Sequence, residues 1–118
     1  MILVDTSVWV DHLRHGTVGL DSLLKDGYVL CHPFIIGELA CGNLRNRAEI
    51  LSLLKTLPTV LLAEDEEVMR LIDNFHLMGK GLGYIDMHLL ASATLNKALL
   101  WTFDKRLQET SLKLGLSR

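Results

Sequence analysis

The feature that most constrains this chain is a short apolar run that ends in an acid and occurs twice. Ile2, Leu3 and Val4 are followed by Asp5, Thr6 and Ser7; near the other end Leu99, Leu100 and Trp101 are followed by Thr102, Phe103 and Asp104. Three apolar residues are too few for a helix, and Ile and Val favour strands, so each run is expected to be a buried strand. Each strand then delivers a carboxylate at its carboxyl end, the edge of an open α/β sheet where ligands bind. One such acid is explained as well by helix capping, since Asp5 or Ser7 could accept the free amides of a following helix. Two acids in matching positions suggest a shared destination.

Between these runs, strands alternate with helices. Helices are expected at Val8 to Leu13, stopping at Gly16, and at Val18 to Lys25, stopping at Gly27, with a second strand at Tyr28 to Leu30. Pro33 suits the first turn of a helix over Pro33 to Cys41, with Glu38 inside it among apolar neighbours. A helix at Arg47 to Thr56 precedes Pro58, and Thr59 to Leu62 is expected as another strand. Glu64, Asp65, Glu66 and Glu67 open a long helix to about Met78, where negative charge suits the helix dipole; they are expected to cap it.

The glycine loop Gly79, Lys80, Gly81, Leu82, Gly83 matches neither the dinucleotide nor the phosphate-loop pattern. It leads into a helix from Ile85 to Lys97 that carries Asp86 in its first turn, and a last helix runs from Lys105 to about Leu114. No hairpin signal interrupts the alternation. The expected fold is α/β, a three-layer sandwich with a central parallel sheet of four to five strands flanked by helices, in a single domain over 1–118.

In a parallel sheet Asp5 and Asp104 share one edge, and the helices carrying Glu38 and Asp86 begin on that edge. Two carboxylates about 5 Å apart repel by roughly 3 kcal/mol at an effective dielectric near 20. Four would stay partly protonated without a counter-charge. A hard divalent cation, Mg²⁺ or Mn²⁺, takes oxygen ligands and keeps open water positions. Such an ion suits phosphodiester chemistry, because it activates a water and offsets charge growing on the phosphate. No zinc spacing occurs among His12, His15, His32, His76 and His88, which are expected at the surface or the core's edge. Cys31 and Cys41 are expected as reduced, buried thiols. The 12 basic and 14 acidic side chains are near balance, which excludes a protein coated all over by nucleic acid but allows a local basic patch. Arg14, Arg45, Arg47, Lys80, Lys105 and Arg106 are the candidate phosphate contacts. No leader or membrane span is recognisable, so a cytoplasmic protein is expected.

These residues resemble the PIN-domain ribonucleases, in particular the VapC-type toxins of toxin-antitoxin pairs. The likeness rests on Ile2-Leu-Val-Asp5-Thr-Ser7, Ile36-Gly-Glu38-Leu39, Gly83-Tyr-Ile-Asp86-Met-His-Leu-Leu-Ala91 and Leu100-Trp-Thr-Phe-Asp104-Lys-Arg-Leu107, in order across the chain. It implies that Asp5, Glu38, Asp86 and Asp104 form an acidic catalytic and metal site, with Ser7 and Thr6 supporting the first aspartate. It implies Mg²⁺- or Mn²⁺-dependent endonucleolytic cleavage of RNA by metal-activated water, a homodimer, and a cognate antitoxin that blocks the site. A receiver-like phosphoacceptor domain is the first alternative, but Leu61, Leu62 and Ala63 stand where its aspartate would follow the third strand. A catalytically silent RNA- or protein-binding module on the same fold is the second.

Overall fold

The structure, a computed structural model, describes all residues from Met1 to Arg118. Three strands, β1 (Ile2–Val4), β2 (Val29–Leu30) and β3 (Leu99–Trp101), form a parallel sheet in the order β2-β1-β3. Leu3 pairs with Leu30 on one side and Leu100 on the other, so β1 is the central strand and Asp5 leaves the sheet at its middle. The helices are α1 (Thr6–His15), α2 (Leu20–Lys25), α3 (Pro33–Ala40), α4 (Arg47–Leu54), α5 (Asp65–Phe75), α6 (Tyr84–Leu95) and α7 (Lys105–Lys113). Leu3, Val4, Leu30 and Leu100 are buried, as a parallel sheet covered by helices requires.

The sheet is narrower than the four to five strands expected. Thr59 makes a single parallel bridge to Cys31, with Cys31 N–H donating to Pro58 O at 2.8 Å and Val60 N–H to Cys31 O at 3.0 Å. The strand expected at Thr59 to Leu62 goes no further, because the next partner on the β2 side is Pro33, which has no N–H to give and opens α3. The Asn96 carboxamide takes the Leu61 groups that face away from β2. It accepts from Leu61 N–H at 2.9 Å and donates to Leu61 O at 3.0 Å. Ser117 makes a matching single bridge to Leu100 at the opposite edge. Both edges are thereby closed to further pairing without a full strand.

Helix α6 forms the wall behind the site. Met87 to Ala93 are all buried, and a helix covered on every side needs no polar face. Glu64 and Glu67 form a capping box at the start of α5, as the acidic run suggested. Two expectations are corrected. Cys31 is buried, its thiol pushed up to about 11 by burial, but Cys41 is exposed just past α3. His32 and His88 lie in the interior rather than at the surface. His32 Nδ1 accepts Phe34 N–H at 2.9 Å and so caps α3, while the Phe34 and Tyr84 rings meet His88 edge-on at 4.9 and 4.7 Å. Burial, with the neighbouring His88, pushes His32 down to about 4, so its imidazole is neutral.

Candidate active site

Asp5 is fixed from two directions. Its N–H donates to Trp101 O at 2.9 Å, continuing the β1–β3 pairing past the end of the strands. It occupies the N-cap position of α1, yet its side chain makes no capping bond. Instead Oδ2 accepts two hydroxyls, Ser7 Oγ at 2.8 Å and Thr102 Oγ1 at 2.8 Å. Each hydroxyl then accepts a backbone amide of the loop after β3, Ser7 from Phe103 N–H at 3.0 Å across the two loops and Thr102 from Asp104 N–H at 3.0 Å within its own. With both protons aimed at Asp5, this four-bond clamp ties the loop after β1 to the loop after β3.

Asp104 is N-cap of α7 through Oδ1, which accepts Leu107 N–H at 2.9 Å. Asp86 Oδ2 accepts Gly83 N–H at 3.0 Å and holds the first turn of α6. Arg106, in the first turn of α7, lies so close over Gly81 (φ +76°) that a Cβ there would collide with the guanidinium. Glycine thus lets the loop before Asp86 approach the helix that follows Asp104. Burial raises the Asp86 carboxyl above its ordinary value; the Gly83 N–H pulls the other way, and the charges of Asp5 and Asp104 push it up further. These three acids therefore share one field.

Glu38, exposed on α3, reaches the same edge through Thr6, whose hydroxyl donates to Glu38 Oε1 at 2.8 Å. Thr6 thus serves Glu38, and the support of Asp5 comes from Ser7 and Thr102. Thr102 was not singled out in the sequence. Its signal is a spacing: Asp5 and Ser7, like Thr102 and Asp104, set a hydroxyl two residues from an acid just past a strand.

Each of the four acids engages one carboxylate oxygen within the chain and leaves the other free of such bonds. No three His, Cys, Asp or Glu side chains are gathered as they stand into a group that could hold a metal ion. The donor set nevertheless fits a hard divalent cation in kind and charge: oxygen only, each acid with an oxygen to spare, and an excess of negative charge already felt by Asp86. No zinc-type cluster of histidines exists.

The basic candidates separate. Arg14 and Arg45 line a cavity of about 610 Å³ together with Thr6 and Glu38. Arg47 is committed elsewhere, donating through Nε at 3.1 Å and Nη2 at 2.8 Å to Ala40 O at the end of α3. Lys80 is exposed in the glycine loop, and Lys105 is exposed beside Asp104. Arg106 is spent partly on the approach to Gly81.

Comparison with known proteins gives two kinds of match. The PIN domain family model matches residues 2–113. Two relatives, both named Ribonuclease VapC32, come from Mycobacterium tuberculosis strains CDC 1551 / Oshkosh and ATCC 25618 / H37Rv. Each is 44% identical over 118 residues, covering 99% of this chain and 95% of the relative.

Proposed function

The chain belongs to the PIN-domain family, as a VapC-type member, and from that premise we propose that it is a divalent-metal-dependent endoribonuclease, the toxin of a toxin-antitoxin pair. The observation that carries the reading is the shared field at Asp86, where the charges of Asp5 and Asp104 act on a carboxyl with an oxygen to spare. Asp5, Asp86 and Asp104 would hold Mg²⁺ or Mn²⁺, with Glu38 beside them. When bound, the ion supplies a counter-charge to the acids and to the phosphate, and makes water a better nucleophile.

The chain's own residues do the rest. The Ser7 and Thr102 hydroxyls fix the rotamer of Asp5, so its second oxygen faces the site without a search for orientation. Thr6 holds Glu38 by Oε1 and leaves Oε2 to orient the attacking water and accept its proton. Asp104 and Asp86, each pinned by a helix amide, keep their free oxygens on rigid first turns. We read the protein as a cytoplasmic homodimer of one PIN-like domain, silenced by a cognate antitoxin seated over the acids. No helix is long and apolar enough to cross a membrane.

The test is cleavage of total RNA by the purified chain in Mg²⁺ or Mn²⁺, set against EDTA and the variants Asp5→Asn and Asp86→Asn. Cleavage in either metal, abolished by EDTA and reduced at least about 100-fold in both variants, is expected. Undiminished cleavage by either variant overturns the assignment of the acids. No cleavage by the unaltered chain in either metal overturns the nuclease reading.

A further inference from the structure

The cavity beside Glu38 has a chemistry of its own. Arg14, from the last turn of α1, and Arg45, from the turn between α3 and α4, line it together with Thr6 and Glu38. Both ion pairs of the chain are made by histidines, so neither arginine is tied to a carboxylate. Asn43 and Asn46 line the same cavity. Asn46 stands at the N-cap of α4 in the left-handed conformation (φ 55°, ψ 41°), and its carboxamide makes no capping bond, which leaves its donor and acceptor uncommitted.

Two cations free of carboxylates and two amides thus line the same cavity as Glu38. An opening of about 610 Å³ falls in the ~300–1,000 Å³ range of pockets that take one small organic ligand. It admits one nucleotide and its phosphate and is too small for a duplex. The geometry points to this cavity as the subsite for the nucleotide adjoining the scissile phosphate of a single-stranded RNA. Arg14 and Arg45 take its outer phosphate, and Asn43 and Asn46 face its base edge. Sequence-reading contacts to RNA are made with unpaired bases of this kind, splayed from a loop or an end. The inference rests on the nuclease reading for the place of the scissile phosphate, at Glu38 and its acidic neighbours, and adds the cavity that the adjoining nucleotide fills.

The experiment measures binding of a short, labelled, mixed-sequence single-stranded RNA by anisotropy across a salt series. It uses Mg²⁺ and the Asp104→Asn background, so that the RNA survives. Each phosphate contact on a single strand contributes about 0.7 to the slope of log affinity against log salt. Replacing both arginines (Arg14→Ala, Arg45→Ala) is expected to lower the slope by about 1.4, an affinity loss of about 25-fold at 0.1 M salt that vanishes near 1 M. Arg47→Ala, whose guanidinium is bound to Ala40 O, serves as control and keeps the slope; a thermal melt of each variant shows that it is folded. A double variant that is folded and keeps the slope overturns the subsite, as does a fully paired hairpin RNA that binds as tightly and loses as much as the single strand. Cleavage by the unaltered chain is scored separately on a gel. Its absence counts against the nuclease reading and leaves the salt slopes readable.

Discussion

Thr102→Val is the sharpest test of how the fold prepares Asp5. The substitution keeps the shape of the side chain, which is only 4% exposed, and replaces the hydroxyl by a methyl. Two bonds are lost: the 2.8 Å donation to Asp5 Oδ2 and the 3.0 Å acceptance from Asp104 N–H. A hydrogen bond to a charged group contributes about 1.5–3 kcal/mol, and an amide left unsatisfied adds about 1–3 kcal/mol. Asp5 keeps the Ser7 hydroxyl, and the new methyl gains burial of about 0.8 kcal/mol, so a net loss of about 2–5 kcal/mol is expected. Unfolding a chain of this length carries an entropy of about 250 cal/mol/K, which converts that loss to about 8–20 °C in Tm. The assay is a thermal melt in EDTA, with Thr102→Ser as the comparison because it keeps the hydroxyl. Partners that orient a metal's ligands are typically worth about 10–100-fold in metal affinity, so Mg²⁺ titration should weaken in the same range. If the Val variant melts within about 2 °C of the Ser variant, the clamp around Asp5 does not hold the two loops and the argument fails.

Two further outcomes follow from protonation. His32 is pushed down to about 4 in the fold against an ordinary 6.5, so between these values the unfolded chain binds the extra proton. Stability should therefore fall as pH drops through 6.5 towards 4, by up to about 1.4 kcal/mol per pH unit. His32→Asn, which can still cap α3, should flatten that limb in a urea-melt pH series. Asp86 has the opposite sign: its raised carboxyl binds a proton more readily in the fold, so its ionisation costs stability as pH rises above the ordinary carboxylate value. Asp86→Asn, which still offers an oxygen to Gly83 N–H, should raise Tm at neutral pH in EDTA and cancel the gain brought by Mg²⁺. An unchanged or lower Tm in EDTA counts against the shared field.

Much of this was legible from local chemistry. Short apolar runs closed by Asp5 and Asp104 are strands because no helix is built from three residues, and Pro33, Gly16 and Gly27 mark the helix limits they suggest. What local chemistry could not show depended on partners far along the chain. Val60, Leu61 and Leu62 read as a strand, but a strand exists only where its amides find a ladder: on the β2 side the partner ends at Pro33, which has no N–H, and on the other side Asn96 takes the Leu61 groups from 35 residues away. Thr102 reads as an ordinary β-branched residue until Asp5, 97 positions distant, receives its hydroxyl. His32 and His88 are polar by type and buried because Phe34 and Tyr84 close over them. The acids were legible for a different reason: a carboxylate at the end of a buried strand has few structural uses beyond capping. Asp104 shows that capping does not use up a carboxylate, since it caps α7 with one oxygen and leaves the second without a bond in the chain.

That division of each carboxylate bears on where the work of assembly is done. Asp5 is anchored by hydroxyls, Glu38 by Thr6, Asp86 by the Gly83 amide and Asp104 by the Leu107 amide, and no anchor is shared between two of the acids. Bonds of this kind survive without a cation, so the positions of the acids are a property of the folded chain, and helix first turns make them rigid. Burial raises the Asp86 carboxyl, and the charges of Asp5 and Asp104 add to that rise because the side chains cannot retreat far. In the proposed reading, positive charge draws the free oxygens together. Neighbouring arginines do not supply it, because the only ion pairs are those of His12 with Asp21 and His88 with Asp65. A fold that anchors four acids separately and pairs none of them with an internal cation is what the proposed metal-dependent reading requires, and Arg14 and Arg45, free of carboxylates, line the cavity beside Glu38.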